Sequence, residues 1–342
     1  MTAQAEPREP ETGQPDRRYS PGTMRRWSQR LLVALLAGGS IAALLADLYG
    51  VAPMNLAFWS GSIPAMAGLA VAASMPRVLP DVQARIRVGA VAGALGTVGY
   101  DVVRVPFALA GQRVFAPIET YGLLIADASA SSGLTSTLGW LYHLSNGVTF
   151  GIAYAALAAS RPWPWGVVWA LMLETVAVLS PFATRYGLSG HIAPIAIAYM
   201  AHLFYGYPLG RLARDLDGTE TALRRAGRHS VALTLVLAVA AIVAWQRPWH
   251  VPPGEHAAAE LSHGGSPATI VRSDRFQPEW LRIRAGGCAL VDNRSGQTYT
   301  TAAGALPPKA RGTLCFDRPG VYRIRLGARP YSGGFVYVDA RH

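Results

Sequence analysis

RRWSQRLLVALLAGGSIAALLADL, Arg25 to Leu48, joins a basic stretch to an apolar run in which Asp47, next to the end, is the only charge after Arg30. About 20 apolar residues cross the hydrocarbon core of a bilayer as a helix, so Leu31–Leu48 is of spanning length. Arg17, Arg18, Arg25, Arg26 and Arg30 precede it, as in the basic region of a signal peptide. Beyond Leu48 the chain continues with further apolar runs rather than a small-residue cleavage site, so the segment reads as a retained signal-anchor. Residues 1–30, rich in Pro, Glu, Gln and Arg without apolar periodicity, read as a disordered basic cytoplasmic tail.

Moving outward, similar runs recur at Leu56–Met75, Val88–Ala110, Leu138–Ala159, Trp163–Ala183 and Gly190–Leu209, with a shorter one at Val231–Trp245. Hydrophobic residues make up 51% of the 342-residue chain and charged residues 15%, a departure from soluble averages in the membrane direction. The expected fold is an α-helical polytopic membrane bundle of about seven transmembrane helices over residues 31–249. The stretch Gly111–Thr137 contains only the short apolar Tyr121–Ala126 and is expected to be a re-entrant or surface helix.

Arginine distribution sets the orientation. Arg77, Arg85 and Arg87 come after the second run, Arg161 after the fourth, and Arg211, Arg214, Arg224, Arg225 and Arg228 after the sixth, whereas the intervening loops hold only Arg113 and Arg185. A cytoplasmic N-terminus and an odd number of spans place everything after Trp245 outside the membrane. Trp163, Trp165, Trp245 and Trp249 suit an interfacial aromatic belt. The net charge of +11 therefore reads as topology rather than nucleic-acid binding, and the lipid bilayer is the first partner implied. Lys309 is the only lysine, and this Arg/Ala bias suggests a bacterial coding background, hence a bacterial cytoplasmic (inner) membrane.

After a Pro- and Gly-containing linker at residues 250–265 the apolar period changes. Short β-favouring runs at Ala268–Arg272, Trp280–Arg284, Cys288–Val291, Thr313–Phe316, Val321–Leu326 and Phe335–Val338 point to a small all-β sandwich over residues 266–342. Both cysteines, Cys288 and Cys315, fall in these runs, where an extracytoplasmic compartment permits a disulfide; free thiols are the alternative.

The segments ATIVRSDRFQPEWLRIRAGGCALVDN and CFDRPGVYRIRLGARPYSGGFVYV resemble a cupredoxin, the plastocyanin and azurin type of Greek-key domain. The resemblance rests on F-x-P-x-x-L-x-I-x-x-G at Phe276–Gly286, on PG-x-Y at Pro319–Tyr322, and on G-x-V-x-V at Gly334–Val338. It implies a blue-copper loop before the last strand, but Leu326–Ser332 offers no Cys, His or Met, and Asp292–Thr300 lacks an upstream histidine. No type 1 copper is expected, and the domain reads as a docking module for an extracytoplasmic protein partner. His250, His256, His263 and His342 read as solvated residues, with weak Cu or Zn capture the alternative.

Ionisable groups at membrane depth are costly and mark function by default. The expected cluster holds Asp101, Arg104, His143, Asn146, Glu174, His191 and His202. Asp101 and Arg104, one helical turn apart, read as an ion pair. His191 and His202 stand about 16 Å apart along one axis and cannot share an ion. A single-ion site would draw on His143, Glu174 and His202, a set suited to Cu, Fe or Zn, with interhelical hydrogen bonding as the alternative. Gly89, Gly93, Gly96, Gly99, Gly147 and Gly151 read as helix-contact surface. No HExxH, Walker, G-x-S-x-G or CxxC pattern occurs, so no enzyme class is indicated. The leading expectation is metal or redox handling at the outer face. The alternatives are a proton-coupled permease and a non-catalytic assembly or sensing protein.

Overall fold

The computed structural model describes residues 21–75, 80–110, 112, 114–186, 188, 191–226, 268–272, 275–301, 304–326 and 333–340. Helix α1 (Pro21–Leu48) begins well before the expected span, so the tail drawn as residues 1–30 gives up its last ten positions to helix. Pro21 presets the helical φ at a position whose N–H has no partner anyway, and no proline or glycine interrupts Thr23–Arg30. The second run is one rod of α2 (Met54–Ala57), a π-helical turn (Phe58–Ser62) and α3 (Ile63–Ser74). Pro64 lacks an N–H and its ring crowds the carbonyl of Ser60, which accounts for the widened turn just before it.

Next come α4 (Pro80–Leu109), α5 (Ala116–Ala126), α6 (Gly133–Ala158), α7 (Pro164–Leu179), α8 (Pro181–Arg185) and α9 (Ile192–Arg214). Four helical stretches among the described residues are long and apolar enough to cross a membrane: Thr23–Leu48, Met54–Ser74, Val82–Leu109 and Ile192–Arg214. They coincide with four of the seven expected runs. The apolar α7 has only 16 residues, α6 is a polar-bearing helix at the centre of the bundle, and Val231–Trp245 lies outside the described residues. Helix α5, with 11 residues, is too short to span and packs along α6.

Glycines set the central crossing of α4 and α6. A Cβ on Gly89 would stand 2.7 Å from the Gly151 carbonyl oxygen, so the backbones approach as closely as small residues allow. The bundle has two unlike ends. At one end Arg87 meets Glu220 at 3.0 Å and Ser160 N donates to Ala213 O at 2.9 Å. This brings the starts of α4 and α7 together with the end of α9, and their arginines with them. At the other end lie Asp47, Asp127 and Arg185, and there the β-region docks.

The β-region contains β1 (Ala268–Arg272), β2 (Arg275–Arg284), β3 (Gly287–Asn293), β4 (Tyr299–Thr301), β5 (Gly304–Leu306), β6 (Arg311–Phe316), β7 (Gly320–Arg325) and β8 (Gly333–Asp339). The strands form a six-stranded mixed sheet of order β6-β3-β1-β2-β8-β7 and a separate β4-β5 hairpin. Strand β2 joins two halves: its first residues, Arg275 to Gln277, pair with β1, Trp280 to Arg284 pair with β8, and the register shifts between. Pro278, which has no ladder donor, lies at the shift. Phe276 and Leu281 both face the β-core despite their odd spacing, as a bulge requires. In place of an independent sandwich, the outer face of β2-β8-β7 is buried against helices. Val336 and Val338 enter the β-core, while Phe335 and Tyr337 pack with Tyr121, Leu124 and Tyr142, so β8 is apolar on both faces.

Candidate functional site

The polar residues of the bundle sort into two histidine–carboxylate pairs carried by four helices. On α4, Arg104 Nη1 donates to Asp101 Oδ1 at 3.3 Å, the one-turn pair expected from spacing. The Arg104 guanidinium also stacks on the rings of Tyr100 and Phe115, 4.6 and 4.5 Å from their centroids. The same Asp101 carboxylate meets His143 of α6, whose Nε2 lies 3.0 and 3.1 Å from its two oxygens. On α9, His202 Nδ1 donates to the Ala198 carbonyl at 2.9 Å and stands 3.3 Å from Glu174 Oε2 of α7.

Tyr100 stands between the pairs. Its ring centroid is 4.8 Å from His202 and 6.0 Å from His143. Glu174 is buried and its Oε1 has no hydrogen-bond partner, as is also true of Asn146 Oδ1 one turn along α6 from His143. A carboxylate with one oxygen left over in a buried site is an acceptor with unfilled capacity.

These contacts revise the expected sites. His143, Glu174 and His202 do not form one ligand set, because His143 turns to Asp101 and His202 to Glu174, with Tyr100 of α4 between. Among the described residues no three His, Cys, Asp or Glu side chains gather as a metal site. His191 is exposed at the N-terminal boundary of α9. His250, His256, His263 and His342 and the loop at residues 327–332 lie outside the described residues. Cys288 and Cys315 are joined, and they stand directly opposite one another in the β3–β6 register.

A second charged group, between helices and β-region, was not among the expected sites. Arg185 of α8 donates through Nη1 to Asp47 Oδ1 of α1 at 2.7 Å and through Nε to Glu279 Oε2 of β2 at 3.1 Å. All three are buried, with Asp47 1% and Arg185 4% exposed. Burial draws the Arg185 guanidinium down, but Tyr186, Asp47 and Glu279 outweigh it and hold it above its ordinary value. Beside it, Arg323 and Arg325 of β7 both donate to Asp127 Oδ1, at 3.0 and 2.6 Å. Burial and the neighbouring Arg325 pull Arg323 below its ordinary value, with Asp47 and Asp127 opposing. One signal was readable: Arg185 stood in a connection otherwise poor in arginine.

The backbone completes this junction. Ser131 N donates to Val321 O at 2.8 Å, Arg323 N donates to Ser129 O at 2.9 Å, and Ala130 bridges Tyr322. The α5–α6 connection thus runs as a short extra strand along β7, covering an edge of the sheet that would otherwise present free donors and acceptors.

No family model matches the chain, and no curated protein matches it. A solved structure of an amicyanin variant in its reduced state aligns at 19% identity, covering 24% of this chain and 89% of that one, with a TM-score of 0.20.

Proposed function

We propose that this chain is a proton-coupled transporter of a bacterial cytoplasmic membrane, with its N-terminus in the cytoplasm and a cupredoxin-like domain seated on the extracytoplasmic end of the bundle. The observation that carries this reading is the double pair Asp101–His143 and Glu174–His202 meeting at Tyr100. A histidine–carboxylate contact holds one proton on either partner, and two such contacts on four helices give it two stations. Among the described residues His143, Glu174 and His202 pair separately rather than gathering as one metal site, which favours the proton reading within the bundle. The orientation is supported by the gathering of Arg87, Arg161 and Arg214 at the end of the bundle away from the β-region. A seventh span at Val231–Trp245 accords with α9 ending at the arginine-bearing end while β1 begins at the other.

Purified protein in liposomes enclosing a pH-reporting dye, placed under an inward proton gradient, tests the reading. Acidification should exceed that of empty vesicles roughly tenfold, and Asp101→Asn or Glu174→Gln should return it to background. Equal rates for wild type and empty vesicles, both without solute and with trapped panels of amino acids, sugars and metal ions, would sink the proposal.

A further inference from the structure

Strands β3 and β6 bury one face and leave the other open. Ala289, Val291 and Leu314 turn into the β-core. Cys288 and Cys315, at alternate positions, project from the opposite face, where Cys288 is half-buried and Cys315 exposed. In the order β6-β3-β1-β2-β8-β7, β6 is an edge strand. The helices cover the outer face of β2-β8-β7 at the other half of the sheet, so the disulfide stands clear of the bundle.

We propose that Cys288–Cys315 is a site of thiol–disulfide exchange with a protein dithiol of the Cys-x-x-Cys type. Exchange needs a thiolate to reach a sulfur from outside, and disulfides that serve only as staples are shielded from that approach. Here the outer strand offers Cys315 Sγ. A thiolate of the dithiol attacks it, the Cys288–Cys315 bond breaks, and its electron pair leaves on Cys288 Sγ, which takes a proton from water. The second thiol of the partner then attacks the mixed disulfide and releases Cys315. The partner is oxidised by two electrons to its disulfide, and the two cysteines here become thiols.

The ladder makes the step reversible. Register pairs from Gly287 with Phe316 to Asp292 with Arg311 hold the strands together independently of the sulfur bond, so the thiols remain opposed after reduction. Reoxidation needs no search through unfolded conformations.

The test uses the full chain in detergent with reduced thioredoxin as the dithiol, and with a thioredoxin variant whose resolving cysteine is serine. The expected result is a covalent adduct at Cys315, located by peptide mass, in protein whose circular dichroism is unchanged. Oxidised glutathione should then restore the Cys288–Cys315 bond without a denaturing step. An adduct at Cys288 instead, or no adduct until denaturant is added, would overturn the proposal.

Discussion

The bundle interior and the junction with the β-region both bury carboxylates beside cations, yet they do so with different chemistry. Inside the bundle the partners of Asp101 and Glu174 include histidines, and Glu174 keeps one oxygen unbonded. At the junction the partner of Asp47 and Glu279 is an arginine, which stays charged at every physiological pH. A histidine pair can exchange a proton and an arginine pair cannot. The first arrangement is suited to change and the second to permanence, in sites that lie on connected elements.

The contrast breaks most visibly at Arg185. Arg185→Ala removes the cation shared by two buried carboxylates, and about 3–5 kcal/mol of docking stability should be lost, seen as faster hydrogen exchange in β2, β7 and β8. Replacing Asp47, Arg185 and Glu279 together by apolar residues of like size should cost less, because the three charges leave together and Arg323 keeps Asp127. Gly89→Leu comes next: the side chain would collide with the Gly151 backbone, and the α4–α6 crossing should lose about 1–3 kcal/mol, read as a lower unfolding temperature in detergent.

Glu174→Gln sharpens the comparison from the other side. Interhelical polar contacts in membranes contribute about 0.6 kcal/mol on average, so unfolding should barely move while proton entry into liposomes is lost. A large stability loss with proton entry intact would reverse the roles assigned to the two regions. Smallest of all, Arg325→Ala removes a half-exposed pair with Asp127, 37% and 41% exposed, and should cost under about 1 kcal/mol, with the difference vanishing at high salt.

Hydropathy made the positions of α1, the α2–α3 rod, α4 and α9 legible, and the six β-favouring runs coincide with strands of the β-region. The Asp101–Arg104 pair was legible because neighbours one turn apart share a helix face whatever the tertiary structure. Its third member, His143, was not. That contact spans 42 positions and depends on how deep α4 settles against α6, a matter of glycine approach that local spacing does not encode. The place of α6 in the bundle was hidden for a related reason. Helix α6 contacts α1, α4 and α5 and needs little apolar surface toward lipid, so hydropathy understates its role. On β8 the run Phe335–Val338 read only as a strand, and its burial on both faces emerged with the helices packed against it.

The strand-like contact between Ser131 and Val321 joins positions 190 residues apart. Its consequence concerns biogenesis. While ribosomes are still making the C-terminal third, α5 and α6 already exist, but the apolar surface of Tyr121 and Leu124 has no cover and the connection at Ser129–Ser131 has no strand to lie against. Closure waits for β7 and β8, which are synthesised about 200 residues after α5, so the β-region seals what the helices leave open. A nascent chain stopped before Gly320 would present that unfinished surface to quality control, and its survival time in the cell would report how much of the molecule's order depends on β7 and β8.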